Sequence, residues 1–275
     1  MTRRGDRELT LSKCFSGHSP LNTALLLACI ALFPRTGVAQ TDEIQVYDAN
    51  IAEKGKFNLT WHNNFTPDGL TEPAFPHAVL ADKSLNGVPE WAYGVADWFE
   101  AGLYLPLYTL GRQDPKQGAS GMLDGFKARL LFVAPHAEDR RFFYGANFEF
   151  SDNAKHWSPR QFTSEVRPIV GWHLNRVDLI VNPILDTAYD GLKNLDFAPA
   201  TRVAYKWTKA WGTALEEYDD FGPLHALGNS AQSHQLYGVV DHTAKSLNIQ
   251  AGVGIGLTKA SNRLTLKLIL SRDLN

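Results

Sequence analysis

The segment that decides the fold reads NRLTLKLILS, from Asn262 to Ser271. Successive side chains of a β-strand leave opposite faces, so the leucines at 264, 266, 268 and 270 share one face. The other face carries Thr265, Lys267, Ile269 and Ser271. The segment therefore predicts a strand with one apolar face and one mostly polar face, as in a barrel with lipid outside and a polar interior.

Alternating segments of this kind recur about twelve times along the chain. They run over 56–66, 88–95, 98–109, 122–134, 141–151, 162–174, 177–187, 195–207, 211–220, 234–243, 247–258 and 263–272. Long connections of roughly 7 to 21 residues mostly alternate with short ones of about 2 to 6, a rhythm typical of outer-membrane barrels. We predict an all-β, up-and-down antiparallel transmembrane β-barrel of about twelve strands over 56–275.

Four tryptophans mark the ends of predicted strands beside short turns, at 98, 172, 207 and 211. Indole rings favour the zone of the lipid headgroups, so these positions predict an aromatic girdle at the periplasmic interface. Four ordinary half-buried tryptophans are the alternative interpretation.

The N-terminus has the pattern of a secretory signal. Basic residues precede the apolar run 24–33, and small residues precede Ala39, so we predict a signal peptide over 1–39 and a periplasmic N-terminal segment over 40–55. A lipoprotein cleavage site at Cys29 is the alternative, although apolar residues continue beyond it. Cleavage at Ala39 would remove Cys14 and Cys29 and leave a chain with no cysteine for disulfides or thiolate metal sites.

The charge of the mature chain argues against one class of partner. Removal of residues 1–39 leaves 22 basic and 27 acidic side chains out of 27 and 29. The remaining chain is mildly acidic and has no basic run, so we predict no nucleic-acid partner.

The stretch Pro89–Pro106 reads PEWAYGVADWFEAGLYLP. Over about twenty residues it resembles a hairpin found in a broad group of outer-membrane β-barrel proteins, one of which is named for a phenol-degradation pathway. The group often has threonine where this chain has Ala96. The resemblance implies an outer-membrane location and the passage of hydrophobic or aromatic compounds. It transfers no functional residue, because the motif is a tight turn, and the chain ends in LSRDLN without the aromatic residue common in such barrels.

The predicted lumen carries eight acidic and six basic side chains, namely Glu100, Glu149, Glu165, Asp178, Asp186, Asp196, Glu216 and Asp241 with Lys127, Arg129, Arg167, Arg202, Lys206 and Lys267. These charges could line a weakly cation-preferring pore or pair internally and plug the lumen. We predict a passive channel or transporter for a small solute in membrane lipid. The residues expected to set selectivity are Glu165, Arg167, Asp178, Arg202, Glu149, Lys127 and Arg129, and the first four are expected to approach one another.

A closed barrel with a structural, loop-binding or lipid-handling role is the alternative, and a lipid hydrolase would be its enzymatic form. A hydrolase needs a hydroxyl nucleophile beside a histidine, for which Ser164 with His173 and Ser233 with His234 are weak candidates. The histidines are scattered without a metal-ligand spacing, and the GxGxG run at 252–256 precedes no helix. We therefore predict no enzyme, no metal and no cofactor, and we regard the long loop 66–87 as a gate or as plain surface.

Overall fold

The structure, a computed structural model, describes residues 43–228 and 232–274, so the predicted signal peptide lies outside it. It contains fourteen strands, β1 Phe57–Asp68, β2 Ser84–Ala96, β3 Phe99–Gly111, β4 Ser120–Val133, β5 Phe142–Asn153, β6 Phe162–Leu174, β7 Val177–Asn182, β8 Leu185–Thr187, β9 Asp196–Phe197, β10 Ala200–Lys206, β11 Trp211–Asp220, β12 Ser233–Thr243, β13 Asn248–Gly256 and β14 Leu264–Asp273. Three short 3-10 turns lie at Ala137–Asp139, Leu192–Asn194 and Leu224–Ala226. Among these residues no helix is long and apolar enough to cross a membrane.

The strands close into an antiparallel barrel with twelve strand positions. Consecutive strand positions pair with each other, and β1 pairs with β14 to complete the ring. β7 and β8 share one position beside β6, and β9 and β10 share the next one. Pro183 and Pro199 lie at these two interruptions, where a residue without an N–H cannot donate to the ladder. The prediction of an up-and-down, all-β barrel of about twelve strands is confirmed.

The predicted alternation of faces is also confirmed in the last strand. Leu266 and Leu268 lie on the outer surface with 37% and 38% of their area exposed, whereas Lys267 between them is buried in the lumen. Large apolar side chains cover the outside of the other strands in the same way, and polar side chains fill the inside. The barrel therefore has the surface chemistry of a lipid-facing sheet around a polar interior.

We call the rim that carries connections 97–98 and 175–176 the turn end, and the rim that carries connections 69–83 and 188–195 the loop end. Trp98, Trp207 and Trp211 lie at the turn end with half or more of their surface exposed. Trp172 lies there too, with its ring centroid 5.4 Å from that of Phe142. This outward placement fits the predicted girdle better than four half-buried tryptophans.

Residues 43–56 lie inside the barrel and run, in chain order, from the loop end to the turn end. At the turn end the N–H of Gly55 donates to the carbonyl of Gly94 at 2.7 Å. Six of its residues are buried, Glu43, Ile44, Val46, Tyr47, Ala49 and Ala52. We call residues 43–53 the lumen segment. The periplasmic location expected for residues 40–55 stays a prediction.

The main apolar core lies between the lumen segment and the barrel wall. Val46, Tyr47 and Ala49 pack with wall residues that include Phe143 and Ile180. Glycine makes the approach possible at the entry, because a Cβ on Gly94 would overlap the carbonyl oxygens of Ala52 and Glu53. Gly94 therefore serves the close passage of the lumen segment as well as its own hairpin.

The long connection 69–83 packs inward at the loop end. Leu80 is fully buried, and its N–H donates to the carbonyl of Arg112 at 2.8 Å. The N–H of Val79 donates to the carbonyl of His156 at 3.0 Å, and Arg112 forms an ion pair with Asp82 at 2.8 Å. β2 begins at Ser84, earlier than the predicted residue 88, so this loop is shorter than expected. These bonds hold the loop against its neighbours. They would have to break if the loop opened and closed as a gate.

Candidate functional site

The candidate site is the lumen, where the lumen segment meets inward side chains of the wall. Two hydrogen bonds join the backbone of the segment to a side chain of β7. The N–H of Tyr47 donates to Oδ1 of Asn182 at 2.7 Å, and Nδ2 of Asn182 donates to the carbonyl of Tyr47 at 3.0 Å. Because Asn182 has no exposed surface, both bonds are shielded from water.

Charged side chains of the wall bind further backbone groups of the segment. Nζ of Lys267 donates to the carbonyl of Ile44 at 3.2 Å, and Nη1 of Arg167 donates to the carbonyl of Gln45 at 3.0 Å. Nearer the turn end, the N–H of Ala52 donates to Oε2 of Glu100 at 2.5 Å. Hydrogen bonds to charged groups are the stronger kind, about 1.5 to 3 kcal/mol each. The segment is thus held along its length by separate polar contacts.

Arg129 is the centre of a buried network on the turn-end side. Its Nη2 lies 2.6 Å from Oε1 of Glu90 and also contacts Glu100. Its Nη1 donates to the hydroxyl of Tyr47 at 3.2 Å, and that hydroxyl lies 2.6 Å from the hydroxyl of Tyr104. One guanidinium therefore joins β2, β3 and β4 to the lumen segment.

A second group of charges lies farther toward the loop end. Arg167 binds the Glu165 carboxylate through two nitrogens at 2.6 and 3.0 Å, and it lies 3.7 Å from Oε1 of Glu43. Its guanidinium carbon lies 4.4 Å from the ring centroid of Tyr47. Glu149 accepts from Lys127 at 3.4 Å. Wall and segment charges are thus paired across this level of the lumen.

A third network crosses five strands on the other side of the barrel. Glu216 of β11 contacts both Arg202 of β10 and Lys267 of β14, and Arg202 also contacts Asp241 of β12. Nζ of Lys267 further donates to Oε1 of Gln250 at 2.8 Å. Buried ion pairs of this kind contribute little net stability, but loss of one partner costs about 3–5 kcal/mol.

All seven predicted selectivity residues lie on the lumen side, but they do not form one cluster. Glu165 and Arg167 do pair, as expected. Asp178 instead lies 2.7 Å from His173 and 2.8 Å from Lys206 at the turn end, while Arg202 belongs to the Glu216 network. Of the four residues expected to approach one another, only Glu165 and Arg167 of β6 do so. Asp178 and Arg202 have other partners.

Glu43 has an unusual environment. Burial and then the neighbouring Glu149 carboxylate raise the pKa of Glu43 to about 7, although Arg167 opposes that rise. Neither of its carboxylate oxygens accepts a hydrogen bond. Burial likewise raises the pKa of the Tyr47 phenol well above its ordinary range. Because this buried carboxyl titrates near neutrality, the binding of the lumen segment to the wall should depend on pH.

Cavities flank the lumen segment. One of about 440 Å³ is lined by Asp48, Asp178, Arg202 and Trp211, among others, and one of about 300 Å³ by Asn50, Glu90, Glu100 and Arg129, among others. A smaller cavity of about 70 Å³ lies under loop 69–83 between Ile44 and Val79. The space beside the segment is sized for water and small solutes.

Neither hydrolase candidate has catalytic geometry. Oγ of Ser164 contacts the hydroxyl of Tyr189, away from His173. The ring of His234 lies 2.5 Å from Asp219, but the nearby Ser261 hydroxyl bonds the backbone of His234. Among the described residues, no serine hydroxyl bonds either imidazole, so the arrangement does not support nucleophilic catalysis.

One group of possible metal ligands lies at the turn end. His136, Glu138 and Asp139 are all exposed, and their ligand atoms lie within 4.8 Å of one another. The sequence interpretation missed this group because the three residues lie within one short turn and match no established ligand motif. Exposed groups of this kind are common without an ion, and the expectation of no metal stays a prediction.

Sequence reasoning also missed the lumen segment itself, its contacts with Tyr104 and Asn182, and the buried pair of His62 and Glu90. Strand parity placed Asn182 on the lumen side with Asp178 but indicated no partner for it. The segment has no period of its own, so no signal in the sequence indicated its burial.

Comparisons with known proteins show a likeness of fold. No family model and no curated protein matches the chain. The structure is similar to the COG4313 outer membrane channel from Pseudomonas putida F1, with a TM-score of 0.57, 14% sequence identity, and coverage of 84% of this chain and 100% of that one. The translocator domain of the autotransporter NalP from Neisseria meningitidis matches with a TM-score of 0.42 and 9% identity over 93% of this chain and 95% of that one.

Proposed function

We propose that this chain is an outer-membrane β-barrel channel that passes small solutes through the space beside its lumen segment. The observation that carries the proposal is a closed barrel with an apolar outside and a charged, partly hollow inside. An apolar outer band suits lipid, and a polar lumen suits water and solutes. The predicted signal peptide and the similarity to the Pseudomonas putida channel support the same location and role.

The lumen segment makes this channel narrow. It runs through the lumen and leaves cavities of about 300 and 440 Å³ on the turn-end side. A barrel of twelve strands lies between small filled barrels and open porins, so one additional segment is enough to restrict the path. Small solutes would pass only beside the segment or after it moves.

The hairpin Pro89–Pro106 supports hydrophobic or aromatic solutes, through its resemblance to proteins that include one named for phenol degradation. The charged lining formed by Arg129, Glu100 and Asp178 supports polar solutes. The rates at which small polar compounds and phenols of equal size pass through the barrel should therefore be compared directly.

A closed barrel is the second candidate function. Its support is the pairing of most lumen charges and the inward packing of loop 69–83, which together leave few mobile polar groups. Such a barrel would act through its loops or on lipid and would not conduct.

Single-channel conductance in planar bilayers separates the two candidates. The chain 40–275 is compared with one that begins at Lys54, which lacks the lumen segment, and with one that begins at Glu43 as the matched control. Folding of each is established by heat-dependent gel migration. We expect discrete steps from 40–275 and from the control, and larger steps from the chain that begins at Lys54. Folded barrels that are silent in all three forms would contradict the channel and favour the closed barrel.

A further inference from the structure

Four carboxylates stand in one cross-strand row on the lumen wall. In the register of the sheet Glu149 of β5 is opposite Glu165 of β6, Glu165 is opposite Asp186 of β8, and Asp186 is opposite Asp196 of β9. We call these four residues the acidic row. Directly opposite residues share a face with Cβ atoms about 4.5–5.5 Å apart, and like charges there destabilise the sheet. The row is therefore a costly arrangement.

The outer end of the acidic row is more exposed than its inner end. The side chain of Glu149 is 2% exposed and that of Glu165 is 17% exposed. Asp186 is half-buried, and Asp196 at the loop end is exposed. The Asp196 end of the row is thus in contact with solvent, and the Glu149 end lies inside the lumen, beside the lumen segment.

Two cations of the protein already occupy the inner half of the row. The Lys127 ammonium binds Glu149, and the Arg167 guanidinium binds Glu165. In the outer half, neither Asp186 nor Asp196 makes an ion pair with any described residue. Lys127 and Arg167 show that the row accepts an ammonium and a guanidinium group. The carboxylates of Asp186 and Asp196 can bind such groups too, but no side chain of the described residues occupies them.

Two buried side chains beside the row have oxygen acceptors without donors. Asn147 is fully buried and donates its Nδ2 to Glu149 at 2.9 Å, but its Oδ1 accepts no hydrogen bond. Glu43, also buried, lies 3.7 Å from Arg167 with both carboxylate oxygens free of hydrogen bonds. Unused buried acceptors are costly, and a ligand with several N–H donors would satisfy them.

We propose that the acidic row binds small organic cations that carry an ammonium or guanidinium group and leads them from the loop end into the lumen. This inference rests on the proposed channel function and names its solute class. The row offers carboxylates one after another at the spacing of strands, about 4.8 Å, and not a converging oxygen cage. Among the described residues only the exposed turn at 136–139 brings three possible metal ligands within 4.8 Å. An ammonium or a guanidinium therefore fits the row better than a chelated divalent ion.

Binding is tested on the folded chain 40–275 in detergent by isothermal titration calorimetry with 4-aminobutylguanidinium, and N-butylurea is the uncharged comparison. The test variant is Asp186→Asn with Asp196→Asn. The matched control, Asp152→Asn with Asp190→Asn, removes the same charge from two residues outside the row. We expect the test variant to bind the cation about tenfold more weakly or worse, and the control to bind as the parent does. Equal affinities in test and control, or equal binding of N-butylurea, would overturn the inference.

Conductance separates failure of this inference from failure of the channel. A barrel that conducts but binds no cation, and whose reversal potential in a salt gradient is unchanged in the test variant, refutes the acidic row and leaves the channel intact. A barrel that binds the cation and never conducts refutes the channel and leaves the row as a binding site. If the double variant does not fold, Asp196→Asn alone provides the test, because this side chain is exposed at the loop end.

Discussion

The backbone of Tyr47 and the side-chain amide of Asn182 exchange two hydrogen bonds, of 2.7 and 3.0 Å. A side-chain amide offers one donor and one acceptor side by side, as a peptide group does, so Asn182 pairs with the lumen segment much as a neighbouring strand would. Pro183 follows it and ends β7. The segment is thus joined to the wall at a point where the ladder itself is interrupted.

Asn182→Ala should therefore release the lumen segment. The change removes two hydrogen bonds and leaves a buried N–H and carbonyl unpaired, a loss of about 2 to 4 kcal/mol in docking. A cysteine introduced by Val46→Cys reports the release, because the mature chain is predicted to have no other cysteine. Its reaction with a polar thiol reagent should become at least about 30-fold faster.

Asn194→Ala is the matched control for that change. Asn194 is also an asparagine with one side-chain bond to a backbone carbonyl, but it lies in a short turn at the loop end. Its substitution should leave the labelling rate of the Val46→Cys thiol unchanged. Equal rates in the two variants would show that Asn182 does not hold the segment.

Docking of the lumen segment should weaken as pH rises through about 7. Burial raises the pKa of Glu43 to about 7 from an ordinary value of 4.5, so the folded, docked state holds the proton more tightly than the released state. The stabilisation is complete below pH 4.5 and is lost as Glu43 ionises. The groups that face Glu43 are Glu149, Arg167, His62 and Glu90.

Thiol labelling at Val46→Cys between pH 5 and 9 measures this dependence. Rates are divided by those of a fully accessible reference, Leu192→Cys, because the reagent itself reacts faster at high pH. We expect protection to fall by about tenfold or more across the range in the parent and to stay nearly level in Glu43→Gln. A profile that keeps its slope in Glu43→Gln would assign the pH dependence to another group.

The sequence predicted the wall well because one physical rule governs it. Leu266, Lys267 and Leu268 face the outside, the lumen and the outside in turn, and most wall strands show that period. The interruption at Pro183 was not predicted, because apolar alternation runs on through both sides of the break. Parity also gave the correct face for Asp178, but not its partner.

The contacts between side chains in the lumen could not be predicted from strand parity, for a different reason. Which charges meet depends on strand register and on the tilt of the barrel, so Arg202 meets Glu216 and Asp241 on the next strands and not the acids of β6. The lumen segment has no period, and its binding uses backbone carbonyls that look the same in every sequence. Only the folded chain shows that Lys267 is a partner of Ile44.

Arg129→Met should destabilise the barrel by about 3–5 kcal/mol. The change keeps a side chain of similar length but leaves Glu90 and Glu100 as buried carboxylates without their cation. The measurement is the temperature at which the folded band disappears in heat-dependent gel migration. Arg263→Met, which removes an exposed arginine 3.9 Å from Asp68, should leave that temperature unchanged. A parent-like temperature for Arg129→Met would mean that water already solvates the two carboxylates.

Leu215→Arg tests whether the apolar outer surface faces lipid. Leu215 lies in the middle of β11 with 59% of its surface exposed, and in water an arginine at such a site would be tolerated. In the middle of a bilayer it should cost about 2–4 kcal/mol, which lowers the urea midpoint of unfolding from lipid vesicles. Leu192→Arg is the control, because Leu192 is 82% exposed in a turn at the loop end. Equal midpoints for the two variants would place the middle of β11 in water, and the membrane location would then fail together with the channel.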